Sequence, residues 1–231
     1  MNFRLISVMT LWCMFAVPAY AGEVVVSIKP LHSLVAAIMQ GEEQTPTLLV
    51  DGKQSLHHFS LKPSQVKALQ QADIVFYLEE HFESFLDKTL DTLPDTVRSV
   101  PLADTPGLVT FSVREGGTFE AHEHEHEESH QRDMHLWLSP SNAKVLAMEI
   151  ARQLSIVYPN ARERYFKNAK LLAQKLDRLE KKLDVRMIPL HERPFVVFHD
   201  AYQYFEKRFN LTVVGAITLH PEQGLRAGRI S

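Results

Sequence analysis

Apolar positions along the chain follow two periods. Short β-branched runs fall at residues 23–29, 46–51, 73–78 and 97–102, and each reads as a strand buried in a layer. Between them the spacing turns helical. Residues 31–39 carry apolar side chains at helical intervals, and Pro63 suits the first turn of a helix continued by Val66, Leu69 and Ala72. Phe82, Phe85, Leu86 and Leu90 are spaced as one further helical face. Strands alternating with helices predict an α/β fold with a largely parallel sheet.

The rhythm breaks at residues 116–131, which hold no aliphatic side chain larger than Ala121 and are dominated by Glu and His. Such a run buries too little apolar surface to fold alone and is expected to be a flexible surface loop. Directly after it, Ser139 is a good N-cap with Pro140 at the first helical position. Ala143, Leu146, Ala147, Ile150 and Leu154 form the stripe of that helix. Tyr158-Pro159-Asn160 separates it from the longest helix, residues 160–187. There Tyr165, Ala169, Leu172, Leu176, Leu179 and Leu183 make an amphipathic seam. Residues 195–198 and 211–217 read as two more buried strands around a short aromatic helix at 201–209.

The expected organisation is a signal peptide at 1–21, an N-terminal α/β lobe at 22–158, a connecting helix at 159–190 and a partial C-terminal lobe at 191–231. Two strands seldom complete a sheet, so the second lobe is expected to be incomplete and the sequence C-terminally truncated. Arg4, the apolar run at 5–17 and Ala19-Tyr20-Ala21 form the signal-peptide pattern, with cleavage expected after Ala21 and export to the periplasm. The one cysteine, Cys13, lies inside that segment, so the mature chain would hold together without disulfides. A formal net charge of −3 argues against nucleic-acid binding, and the chain is expected to be a monomer.

Charge changes little in this picture; histidine changes more. There are 12, and five fall between His122 and His135. Three others stand in telling contexts. His57 lies in the loop after a strand, His135 precedes a helix, and His199 ends a strand. In open α/β sheets ligands bind beyond the carboxyl ends of strands, and three imidazoles meeting there would hold a transition metal. Spacing alone leaves open whether they meet or are three separate structural histidines.

Three segments carry a resemblance. Ser55-Leu56-His57-His58-Phe59-Ser60-Leu61-Lys62-Pro63-Ser64, Met134-His135-Leu136-Trp137-Leu138-Ser139-Pro140 and Phe195-Val196-Val197-Phe198-His199-Asp200-Ala201-Tyr202-Gln203-Tyr204-Phe205 occur in that order. They resemble the ligand loops of the metal-binding component of bacterial zinc ABC importers, the ZnuA-type members of the metal-specific solute-binding proteins. The acidic, His-rich run before the second motif is typical of the zinc branch. The resemblance implies two α/β lobes joined by a long rigid helix, with metal in the cleft between them. It implies His57, His135 and His199 as ligands of Zn²⁺, delivered to an inner-membrane ABC permease without catalysis.

Two departures stand in the first motif: Leu56 replaces a common proline, and His58 an often acidic residue, which makes His58 an alternative ligand. His122, His124, His126 and His130 are candidate accessory ligands for weak zinc capture. The fourth position would fall to water or to a nearby carboxylate such as Asp200, although Asp200 reads more simply as supporting the ligands from behind or as a helix cap. Three nitrogens favour Zn²⁺ over Mn²⁺, which prefers oxygen. Two alternatives remain at this point. One is an exported zinc hydrolase, since three His plus a water is also a catalytic pattern; the other is a manganese-binding relative.

Overall fold

The computed structural model describes residues 22–52, 59–114 and 131–218. The proposed signal peptide, His57 and His58, the Glu/His-rich run up to His130 and the last residues of the chain lie outside these. Within them the strands are β1 (Glu23–Ile28), β2 (Thr47–Val50), β3 (Ala72–Tyr77), β4 (Arg98–Pro101), β5 (Phe195–His199) and β6 (Val213–Thr218). The helices are α1 (Lys29–Ile38), α2 (Pro63–Gln71), α3 (Asp87–Leu90), α4 (Pro140–Val157), α5 (Arg162–Met187) and α6 (Gln203–Arg208).

Strands β1 to β4 form one parallel sheet in the order β2-β1-β3-β4. Successive side chains of a strand point to opposite faces, and here that alternation separates two cores. Val24, Val26, Ile28, Ile74, Phe76 and Leu78 face α1, α4 and α5. Val25, Val75 and Tyr77 face the other way, onto Leu69 of α2 and onto Phe59 and Leu86. The continuous apolar runs of the sequence are thus those of a sheet covered on both faces.

Helix α4 starts as its sequence predicts. The Ser139 hydroxyl accepts from the Asn142 N–H at 3.3 Å, and Pro140 needs no donor at the first position. Helix α5 has 26 residues and is about 39 Å long. Its seam is buried only at the N-terminal end, where Tyr165 and Ala169 join the core. Leu179 and Val185 are exposed further along. No helix among the described residues is long and apolar enough to cross a membrane.

Two expectations differ. The helix over Phe82–Leu90 shrinks to the single turn of α3, preceded by a series of turns. Acidic side chains hold those turns: Glu83 Oε2 accepts from the N–H of Leu78 at 2.5 Å and of Glu79 at 3.2 Å, and Glu79 Oε2 accepts from that of Phe82. Side-chain oxygens that take up backbone donors compete with helix formation. Second, β5 is no buried strand. It pairs in parallel with β6, but Phe195, Val196 and Phe198 are all exposed. Among the described residues, Val197, Val213 and Ala216 form a small cluster there.

Candidate metal centre

His135 and His199 come together. Their ring centres lie 5.3 Å apart at an interplanar angle of 68°. Two imidazoles on one tetrahedral zinc ion, with Zn–N near 2.0–2.1 Å, have ring centres roughly 5 Å apart. The spacing is what a shared ion requires.

His135 is held from three sides. It precedes the 3-10 turn Leu136–Leu138. Phe82 meets its ring at 6.0 Å and Trp137 at 5.4 Å, both edge to face. The carboxylate of Asp133 accepts both the His135 backbone N–H at 2.9 Å and the ring Nδ1–H at 2.7 Å. An ionised carboxylate can only accept, so Nδ1 carries the proton and Nε2 keeps its lone pair for a metal.

Asp133 is itself buried and fixed. Its N–H bonds to the Phe111 carbonyl at 2.8 Å, and its own carbonyl accepts from the Tyr204 hydroxyl at 2.7 Å. Tyr204 lies on α6, five residues beyond His199, and its oxygen also accepts from the Phe111 N–H at 3.2 Å. The element that follows His199 therefore braces the residue that holds His135. Sequence reading assigned no role to Asp133 or Tyr204. The two-residue spacing of Asp133 and His135 is a signal that could have revealed the first; the second lies within the third motif, but nothing there marks its bond to the Asp133 carbonyl.

Asp200 follows the end of β5 and faces Arg114. The guanidinium donates from Nε to Asp200 Oδ2 at 3.0 Å, from one terminal nitrogen to Oδ1, and from the other to Glu206 Oε2 at 2.6 Å. Burial works to lower the Arg114 pKa, but the hydrogen bonds and charges of Asp200 and Glu206 outweigh it and raise it overall.

Of the other candidates, His57, His58, His122, His124, His126 and His130 lie outside the described residues. Phe59, just after His58, is buried and meets Phe85 with ring centres 5.0 Å apart. That packs the middle of the first motif against the same turns that carry Phe82 to His135. His32 is structural, its Nε2 bonding the Pro46 carbonyl at 2.9 Å. Among the described residues no group of three or more His, Cys, Asp or Glu is disposed to hold a metal. Of the three histidines expected as ligands, His135 and His199 are the two within the described residues.

Known proteins share this arrangement of elements. Residues 24–231 match the family model of the zinc-uptake complex component A, periplasmic. The high-affinity zinc uptake system protein ZnuA of Brucella abortus is 42% identical over 94% of this chain and 74% of its own length. Among solved structures, the Zn(II)-bound ZnuA-like domain of Streptococcus pneumoniae AdcA superposes with a TM-score of 0.67 at 26% identity, over 86% of this chain and 67% of that one. The Streptococcus pneumoniae AdcAII protein has the same fold, with a TM-score of 0.72 at 24% identity over 90% and 73%. The α/β fold, the paired histidines and the match over nearly the whole chain lead to one conclusion: the chain belongs to the family of periplasmic zinc-uptake components A.

Proposed function

We infer that this chain is the periplasmic zinc-binding component of a zinc importer, which captures Zn²⁺ and delivers it to an inner-membrane ABC permease. The 5.3 Å approach of His135 and His199, with Asp133 fixing the His135 tautomer, is the observation that carries this reading. His57 is the third ligand, with His58 as its alternative. The region 22–158 serves as one lobe, 159–190 as the connector and 191–231 as part of the second. Zn²⁺ is cargo here, and the site performs no reaction. The segment at 1–21 acts as the export signal, cleaved after Ala21.

The accessory histidines, His122, His124, His126 and His130, serve weak capture. Ordering a polar run of chain costs entropy, so its affinity is low.

Zinc titration of the mature protein, followed by Trp137 fluorescence and elemental analysis, tests the reading. His57→Ala, His135→Ala and His199→Ala should each abolish tight binding, and deletion of residues 120–130 should leave it intact. Tight binding that survives both His135→Ala and His199→Ala refutes the site. Affinity should fall between pH 8 and pH 5, because the imidazoles must shed protons to bind. The hydrolase alternative requires zinc-dependent ester cleavage that His135→Ala abolishes; the transport reading requires none.

A further inference from the structure

We propose that the protein carries a receptor for its own processed N-terminus: Asp73, Tyr158 and Gln44 bind the α-ammonium of Gly22 once residues 1–21 are removed. This site rests on the reading that cleavage falls after Ala21.

Four elements meet there. Gly22 is buried and leads into β1. Gln44 stands just before β2, Asp73 is the second residue of β3, and Tyr158 closes α4. All lie where the strands begin, whereas Phe82 meets His135 beyond the other end of β3. With its amide turned to satisfy both groups, Gln44 accepts the Gly22 N–H at 3.2 Å and donates to the Gly22 carbonyl. The Tyr158 hydroxyl donates to Asp73 Oδ2 at 2.9 Å. Burial, that hydrogen bond and the Asp73 charge raise the Tyr158 pKa, so the hydroxyl remains the donor.

The Asp73 carboxylate lies against the Gly22 backbone. A Cβ on Gly22 would take the place of Asp73 Oδ2 and stand 2.6 Å from the Tyr158 oxygen, so only glycine leaves room. A residue's nitrogen sits about 2.5 Å from its Cβ, which brings the Gly22 nitrogen within roughly 4 Å of Oδ2. Asp73 is only partly exposed. Among the described residues Tyr158 is its one hydrogen-bond donor, and no lysine, arginine or histidine pairs with it. A carboxylate drawn from water calls for a cation or further donors.

Cleavage supplies both. While residue 21 is attached, the Gly22 nitrogen is an amide with one hydrogen, which Gln44 accepts. Hydrolysis of the 21–22 bond consumes one water and leaves a carboxylate on Ala21 and an ammonium on Gly22. The ammonium has a full charge and three hydrogens, one for Gln44 and the others for Asp73. The pair forms only after processing and fastens β1, which lies between β2 and β3, to β3 and α4.

The test uses the mature chain released from a fusion cut directly before Gly22, and a chain that keeps Ala21 ahead of it, each with Asp73 and with Asp73→Asn. In urea unfolding at neutral pH the chain starting at Gly22 should have a folded-to-unfolded ratio about tenfold higher, the size of a hydrogen bond between charged groups. Asp73→Asn should erase that difference. No difference between the two starts, or one that survives Asp73→Asn, overturns the proposal. Cyanate, which attacks only the unprotonated amine, should modify Gly22 about tenfold more slowly with Asp73 than with Asn. If Asp73→Asn shows no cooperative melt, the Gly22 rate is compared in folded and urea-unfolded wild type, and equal rates are equally fatal. Mass spectrometry of protein exported on its own leader separates the two failures. A first residue other than Gly22 removes the cleavage reading and the docked terminus together; Gly22 first, without dependence on Asp73, removes the docked terminus alone.

Discussion

The two sheets of this molecule are built from similar strands and end up in opposite conditions. In the four-stranded sheet, β-branched residues are buried on both faces, with Val25, Val26, Ile74 and Phe76 fully covered. In the pair β5–β6, Phe195, Val196, Phe198, Val214 and Ile217 are exposed among the described residues. The difference lies in what surrounds each strand and not in its own sequence. The first sheet has α1, α4 and α5 on one side and α2 on the other. The second is tied down mainly through α6, whose Tyr204 belongs to the first unit's core. One ligand candidate therefore stands on a well-packed base, while the other depends on a few contacts reaching across.

The strongest way to break this comparison is to cut the main contact. Tyr204 is 1% exposed, packs on Phe111 and bonds the Asp133 carbonyl. Tyr204→Ala should cost about 3–5 kcal/mol in urea unfolding, the usual range for losing a buried aromatic. It should also weaken zinc, because both histidines lose a brace. Val197→Ala, in the three-residue cluster of the second sheet, should cost under about 1.5 kcal/mol, since few side chains surround it. Equal costs would mean that the two sheets are packed alike.

A second test concerns the turns that touch His135. Glu83 is fully buried. Burial pushes its carboxyl up to about 7, against the pull of Ser27 and of the Leu78 and Glu79 N–H groups, and the Glu79 charge adds to the rise. The folded state thus holds a proton that the unfolded chain releases near the ordinary value of 4.5. Between those two values the native protein binds more protons, so stability falls as pH rises. The loss is complete above pH 7 and amounts to about 3 kcal/mol. Glu83→Gln should flatten that slope, measured as urea midpoints of the metal-free protein from pH 4.5 to 8. An unchanged slope would show that Glu83 is ionised throughout.

Much of this was legible from the residues. Strand and helix placement in the first unit follows from apolar period, and the α4 start follows from Ser139 and Pro140, because those signals are local. The turns at Glu79 and Glu83 were not legible: the apolar spacing of Phe82 to Leu90 is genuine, but the carboxylates of Glu79 and of buried Glu83 captured the backbone donors. The exposure of β5 was hidden too, since a strand's own pattern does not say what covers it. At the centre, His135 and His199 were named from motif resemblance, and their 5.3 Å approach was not deducible from spacing. Arg114 escaped because its partners, Asp200 and Glu206, lie 86 and 92 residues away.

The next effect should separate holding a ligand from holding the fold. Asp133→Asn keeps the size of the side chain, and the amide oxygen can still accept one hydrogen bond. It loses the charge that keeps the proton on His135 Nδ1. Zinc affinity should therefore drop by roughly ten- to a hundredfold, with the urea midpoint moving far less than for Tyr204→Ala. Similar losses of stability in the two variants would show that Asp133 acts through packing and not through the imidazole.

The smallest effect belongs to the charged knot that joins three helices away from the histidines. Glu180 of α5 accepts from Arg208 of α6 and from Lys144 of α4 at 3.1 Å, while Arg208 also pairs with Asp184 at 2.8 Å. The Glu180 pKa is lowered although its burial works to raise it, because the hydrogen bonds and charges of Arg208 and Lys144 prevail. A carboxyl held below its usual range contributes stability above its unfolded value and loses it as pH falls through the folded one. Partly exposed pairs contribute little, so Arg208→Ala should cost only about 1 kcal/mol at neutral pH, less in high salt. Its value lies in where that cost appears. If α6 is carried by Tyr204, zinc affinity should stay within about twofold of wild type. A zinc defect as large as that of Tyr204→Ala would mean that the knot, and not the buried tyrosine, sets the position of His199.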